Sequence, residues 1–256
     1  MDLQLGDKVV LVTGGSDGLG AAAVQRLAQE GARVAFCGRS PEKLERVRTA
    51  AGGQVLAVQA DVTRPEDCER FIAEALGAWG RIDALVNNAG TAAGRPFESI
   101  DDAAWAADLE LKLMGAVRLS RGVLPHLRAA GGGSILNVLA ISAKAPGARS
   151  APSSVSRAAG LALTKALSKE LGPDGVRVNA VLIGLVESGQ WQRRAEASGQ
   201  TPEAVYAQLV RDNAIPLGRV GRSEEFADLV SFLVSPRAAY LSGAAINLDG
   251  GLSSAV

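Results

Sequence analysis

Thr13-Gly14-Gly15-Ser16-Asp17-Gly18-Leu19-Gly20 joins an apolar run, residues 8–13 (KVVLVT), to a helical pattern over residues 19–30 that stops at Gly31. The run is apolar after its first residue, as in a strand buried on both faces. A pyrophosphate at a helix N-terminus needs backbone N–H groups with no side chain in the way. In that role Gly14 permits the tight turn, Gly18 the approach of phosphate, and Gly20 close packing of helix on strand. A glycine triplet alone also describes an ordinary turn, but this one sits in the strand–turn–helix context that dinucleotide binding requires.

Outward from the loop the same alternation continues. Strands are expected at 33–37, 54–59, 82–86, 134–138, 176–181 and 245–248, with helices at 42–50, 66–78, 102–129, 152–171 and 223–234. Strand–helix–strand order demands parallel pairing with right-handed crossovers and helices on both faces. The expected fold is therefore α/β, a Rossmann-like doubly wound parallel sheet of about seven strands. No repeat or composition break divides the chain, so residues 1–256 read as one dinucleotide-binding domain. A lid-like irregular insertion is expected at about 185–217, containing Trp191, Arg193, Arg194 and Tyr206.

Composition narrows the function classes. Lysines and arginines number 27 against 27 acids, which argues against a nucleic-acid partner. No apolar run is long enough to span a membrane, and no signal peptide is visible. Cys37 and Cys68 form no metal-like or redox-like pair, so no metal is expected. A cytoplasmic setting is the default expectation. The second strand is followed by Gly38-Arg39, where an acid would accept from a free ribose 2′-hydroxyl and an arginine suits a 2′-phosphate. Arg39 thus favours NADP(H) over NAD(H), although Asp17 adds negative charge near the phosphates.

With these motifs the sequence resembles the classical short-chain dehydrogenase/reductase family over essentially its full length. Further matches are Asp61-Val62, Asn87-Asn88-Ala89-Gly90, Arg177-Val178-Asn179-Ala180-Val181, Pro216-Leu217-Gly218-Arg219 and Asp249-Gly250-Gly251. The resemblance implies a cofactor site formed by Gly14, Ser16, Gly18, Leu19, Gly20, Arg39, Asp61, Val62, Asn88, Ala89, Gly90, Arg157, Gly184 and Ser188. In it Asp61 contacts the adenine, Asn87–Gly90 walls the site, and Ser188 replaces a threonine that touches the nicotinamide carboxamide. It also implies a small-molecule substrate and a dimer or tetramer built on the helices at 102–129 and 152–171.

The family's chemistry uses an asparagine, a serine, a tyrosine and a lysine, and all four matching positions depart from the pattern. They read Lys112, Ala140, Ser153 and Arg157, and the usual Pro-Gly pair after the sixth strand reads Ile183-Gly184, which predicts a less rigid bend. A serine hydroxyl ionises far above a tyrosine and reaches less far, so Ser153 cannot repeat a phenol's proton transfer with the same geometry. Arg157 stays charged and offers a planar fork able to clamp ribose hydroxyls. Ser142, Tyr206, Tyr240 and His126 are weaker candidates for the missing groups.

Three readings follow. The first is an NADP(H)-binding oxidoreductase acting on an unknown carbonyl or alcohol with a non-standard active site, in which Ser153, Arg157 and Lys112 line the pocket. The second is an inactive cofactor-binding subunit of a hetero-oligomer whose partner carries a complete tetrad. The third is a lyase or isomerase on the same scaffold.

Overall fold

In a computed structural model the backbone is described for residues 1–256, and the side chains for all except Gln190, Gln192, Arg193 and Arg194. The sheet has seven parallel strands, β1 (Val9–Thr13), β2 (Arg33–Gly38), β3 (Val55–Gln59), β4 (Ala84–Asn87), β5 (Gly133–Ala140), β6 (Val176–Ile183) and β7 (Ala245–Leu248). Their order is β3-β2-β1-β4-β5-β6-β7. Helices α1 (Gly18–Gln29), α2 (Pro41–Ala51) and α3 (Pro65–Trp79) follow the first three strands. After β4 come α4 (Asp102–Leu109), a π-helical turn (Glu110–Met114) and α5 (Gly115–Ala129). Then α6 (Ser153–Glu170) follows β5, while α7 (Gly189–Ser198), α8 (Pro202–Asn213) and α9 (Ser223–Val234) separate β6 from β7.

The period of two in a strand shows directly in β1. Val10 and Val12 pack with Val24 and Leu27 of α1 and with Phe226 and Val230 of α9. Val9 and Leu11 face the other way, among Phe71 and Ile72 of α3 and Leu119 and Val123 of α5. Both faces are thus covered, and the uninterrupted apolar run in the sequence reflects it. Ser40 and Pro41 start α2 as their types dictate, with Ser40 Oγ accepting from Lys43 N at 3.3 Å.

The structure differs from the sequence pattern in three places. Strands β5 and β6 run on to Ala140 and Ile183, two residues further than expected. β4 begins at Ala84, two residues later than expected, after Asp83, whose carboxylate accepts from Val9 N (2.9 Å) and pairs with the Arg81 and Lys8 side chains. The stretch 185–217 is not irregular; it forms α7 and α8, which bury Ala195, Val205, Leu209 and Ile215 against Trp191 and Tyr206. The polar composition of α7 and the break at Gly199, which has φ +64°, hid that helical pair. No helix among the described residues is long and apolar enough to cross a membrane.

Candidate active site

The sheet order reverses between β1 and β4, and the chains leaving those strands diverge above their C-terminal ends. A cleft of about 780 Å³ opens there, in the crevice where doubly wound sheets bind ligands. Every residue expected at the cofactor lines it, from Gly14, Ser16, Gly18, Leu19 and Gly20 through Arg39, Asp61, Val62, Asn88, Ala89 and Gly90 to Arg157, Gly184 and Ser188.

The glycines of the loop are used for close approach. A Cβ on Gly20 would lie 2.1 Å from Gly14 O, and one on Gly14, itself at φ +64°, 2.9 Å from Ala89 Cα. Thr13 ties loop to turn, its Oγ accepting from Asn88 N and Ala89 N at 2.9 Å each. Asn88 Nδ2 answers with bonds to Thr13 O (2.9 Å) and Gly14 O (3.2 Å). Asp17 caps α1 by accepting from Gly18 N, and its second oxygen pairs with Lys43 Nζ at 2.7 Å. The negative charge in the loop is therefore paired, and Lys43 also lines the cleft.

At the neighbouring end, Gly38 has no room for a side chain, since a Cβ would lie 2.4 Å from Ser16 Oγ. Arg39 beside it is exposed and makes no ion pair among the described residues. Asp61 holds the far wall as an Asx turn, its Oδ1 accepting from Thr63 N (3.0 Å) and Thr63 Oγ1 (2.8 Å). Cys37 lies in this wall with its thiol pushed up to about 12 by burial, and burial pushes Cys68 to about 11. Both thiols therefore stay protonated in the fold. Iodoacetamide at about pH 8.5 should leave the native protein unmodified and label both cysteines once it is denatured; mass spectrometry of intact protein checks this.

The floor of the other half is built from α6 and the π turn. A π turn widens the helix by one residue, and here it turns Lys112 inward, so that its side chain is 1% exposed. Lys112 Nζ is paired with Asp108 Oδ1 and donates to Ser153 Oγ at 2.8 Å. Asp108, 3% exposed, accepts from Ser156 Oγ at 2.6 Å on its other oxygen. Ser153 Oγ, at the N-terminus of α6, also accepts from Ala93 N at 3.0 Å. Burial, with Arg157 nearby, pulls Lys112 below its ordinary value, and the Asp108 carboxylate opposes this.

Arg157, one turn after Ser153 on α6, donates through Nη1 to Val138 O at 2.6 Å. Its guanidinium lies over the bare α-carbon of Gly90, where a Cβ would stand 2.7 Å from Nη2. Burial lowers its pKa to about 10, and the Asp108 charge only partly offsets that. Beneath these groups Asn87, Asn137 and Thr164 form a buried chain, Asn87 Nδ2 to Asn137 Oδ1 at 2.9 Å and Asn137 Nδ2 to Thr164 Oγ1 at 2.9 Å. Lys112 faces a small cavity of about 10 Å³ there, room for about one water and no substrate. Lys112 thus stands under the cleft and meets it through Ser153, whereas Ser153 and Arg157 line it directly.

Of the weaker candidates, Ser142 lines the cleft, as does Ala140, which brings no polar side chain. Tyr206 packs between α7 and α8, and Tyr240 is wholly exposed. His126 lies on α5, remote from the cleft lining. The side chains of Arg193 and Arg194 lie outside the described residues. The Ile183-Gly184 bend is tied by Gly184 N to Leu248 O at 3.0 Å, and a Cβ on Gly184 would meet Asp249 Cβ at 2.7 Å. Asp108, Ser156 and the amide of Ala93 were not read from the sequence. The Asp108–Lys112 spacing of four was the available signal.

The family model described as enoyl-(acyl carrier protein) reductase matches residues 14–253. The chain belongs to the short-chain dehydrogenase/reductase family. It is 38% identical over 247 residues to the granaticin polyketide synthase putative ketoacyl reductase 2 of Streptomyces violaceoruber, covering 95% of each chain. Among solved structures it resembles an NADPH-bound short-chain oxidoreductase of Pseudomonas aeruginosa PAO1, described as containing an atypical catalytic center. That match has 38% identity, a TM-score of 0.92, and covers 98% of this chain and 100% of the other. The L-sorbose reductase of Gluconobacter frateurii, complexed with NADPH and L-sorbose, superposes with a TM-score of 0.93 at 32% identity over 100% of both chains.

Proposed function

We propose that this family member is an NADPH-dependent carbonyl oxidoreductase whose proton donor is Ser153, backed by Lys112 and Asp108. The observation that carries this reading is the hydrogen bonding at Ser153 Oγ. It accepts from Lys112 Nζ at 2.8 Å and from Ala93 N at 3.0 Å, so its own hydrogen is left for an acceptor in the cleft. When that proton leaves, the oxygen remains next to a buried ammonium and a backbone amide, a preorganised arrangement for stabilising charge. Asp108 is a positioning residue, fixing Nζ from below. An ordered triad of this kind supports turnover by the chain itself over a purely scaffolding role.

The cradle residues fit a dinucleotide. The Gly14–Gly20 loop lines the cleft with close-packed glycine backbone, the Asn88–Gly90 turn would wall the nicotinamide half, and Ser188, in the same lining, would meet its carboxamide. When bound, the cofactor supplies the hydride; positioning it against the substrate is the protein's task. The α7–α8 segment, which adds Ser188, Gly189 and Trp191 to the lining, is read as a lid. NADPH is read as preferred over NADH because a side chain at Gly38, where an acid would accept from a 2′-hydroxyl, would crowd Ser16, while Arg39 and Lys43, both in the lining, would meet a 2′-phosphate.

Two titrations test the cofactor part. NADPH should bind at micromolar concentration and NADH at least about tenfold more weakly. In Arg39→Ala the NADPH Kd should rise about tenfold with NADH within about twofold. Failure to bind either coenzyme would sink the proposal. A panel of ketones and alcohols then tests turnover, read at the nicotinamide absorbance.

A further inference from the structure

The groups around Ser153 carry more positive than negative charge. Lys112 is matched by Asp108, but Arg157 forms no salt bridge among the described residues, and its one described acceptor is the neutral Val138 O. Among the described residues the only carboxylates lining the cleft are Asp17 and Asp61, both at the far, nucleotide half. At the Ser153 half the lining is Thr91, Ala92, Ser142, Ser150 and their apolar neighbours. A guanidinium withdrawn from water without an ion-pair partner of its own is costly, and burial here, only partly offset by the more distant Asp108 charge, has already pulled its pKa down. It remains partly accessible from the cleft. A planar fork of this kind recognises a carboxylate through parallel hydrogen bonds.

We infer that this chain selects oxo acids, with the substrate carboxylate on Arg157 and the ketone oxygen on Ser153. The two side chains leave the same face of α6 four residues apart, which sets their Cβ atoms about 5–6 Å from each other. That spacing suits a short acid whose ketone is one or two carbons from the carboxylate. The inference rests on the reading of Ser153 as the group that meets the carbonyl.

Methyl esters provide the test, because they keep the shape of the acid and remove its charge. Acetoacetate and methyl acetoacetate, and 2-oxobutanoate and its methyl ester, would be titrated calorimetrically into NADPH-loaded protein. Each acid should bind about 10- to 100-fold more tightly than its ester. In Arg157→Gln that advantage should shrink to within about threefold, and Arg157→Lys should retain part of it. Equal binding of acid and ester, binding of neither, or an advantage that survives Arg157→Gln would overturn the inference. These outcomes separate from the function itself: failure of the unaltered protein to bind NADPH defeats the oxidoreductase reading, whereas NADPH binding without acid preference defeats only this one; because Arg157 also lines the cofactor cleft, each variant is compared at an NADPH concentration that saturates it. Should Arg157→Gln not fold, the acid–ester ratio of the unaltered protein still decides.

Discussion

Ser153→Ala is expected to lower kcat/KM for a reducible carbonyl by about 10²- to 10⁴-fold, the usual worth of a positioned general acid. The NADPH Kd should stay within about threefold, because the hydroxyl is bound by Lys112 and Ala93 at the floor and touches none of the glycine loop. The same comparison separates a reacting group from a structural one. If Ser153 served only to satisfy Lys112, the alanine variant would lose stability and cofactor affinity together with rate. A rate unchanged within about threefold would remove Ser153 from the chemistry.

Asp108→Ala should have the largest effect on stability. It leaves the Lys112 ammonium, 1% exposed, without its carboxylate and with Arg157 nearby. Breaking a buried pair by deleting one partner costs about 3–5 kcal/mol, which for a chain of this size corresponds to a Tm about 6–20 °C lower. Ser156 also loses its acceptor. The double variant Asp108→Ala with Lys112→Met should recover most of that loss, since removing both charges is far less damaging than removing one. Thermal unfolding of the three proteins measures it. A shift under about 2 °C in the single variant would mean that Lys112 is held by something other than Asp108.

Most of the fold was legible because the signals are local and physical. The run Val9–Thr13 has to be buried on both faces, Gly31 has to end α1, and Ser40-Pro41 has to start α2. The cradle was legible for the same reason, because bare backbone approaching Gly14 and Ala89 leaves a glycine at each tight contact. The α7–α8 pair was not, since its polar turns bury only a narrow apolar seam. The floor of the candidate site was legible only as a departure: the positions of Lys112, Ser153 and Arg157 could be named, but not what they touch. Lys112 was expected to line the pocket and instead stands beneath it. What places it there is the π turn, which depends on how residues 110–114 pack and leaves no periodic mark in the sequence.

That widened turn has a consequence for phase. An α-helix advances about 100° per residue, so the one surplus residue within Glu110–Met114 lets the helix serve two neighbours at different azimuths. Before it, Asp108 is aimed at α6; after it, Leu119 and Val123 are aimed at the sheet. Excising a single residue there would restore uniform pitch and bring one of these two seams out of alignment by about a quarter of a revolution. The helix between β4 and β5 therefore tolerates exchange of its side chains better than any change in its count.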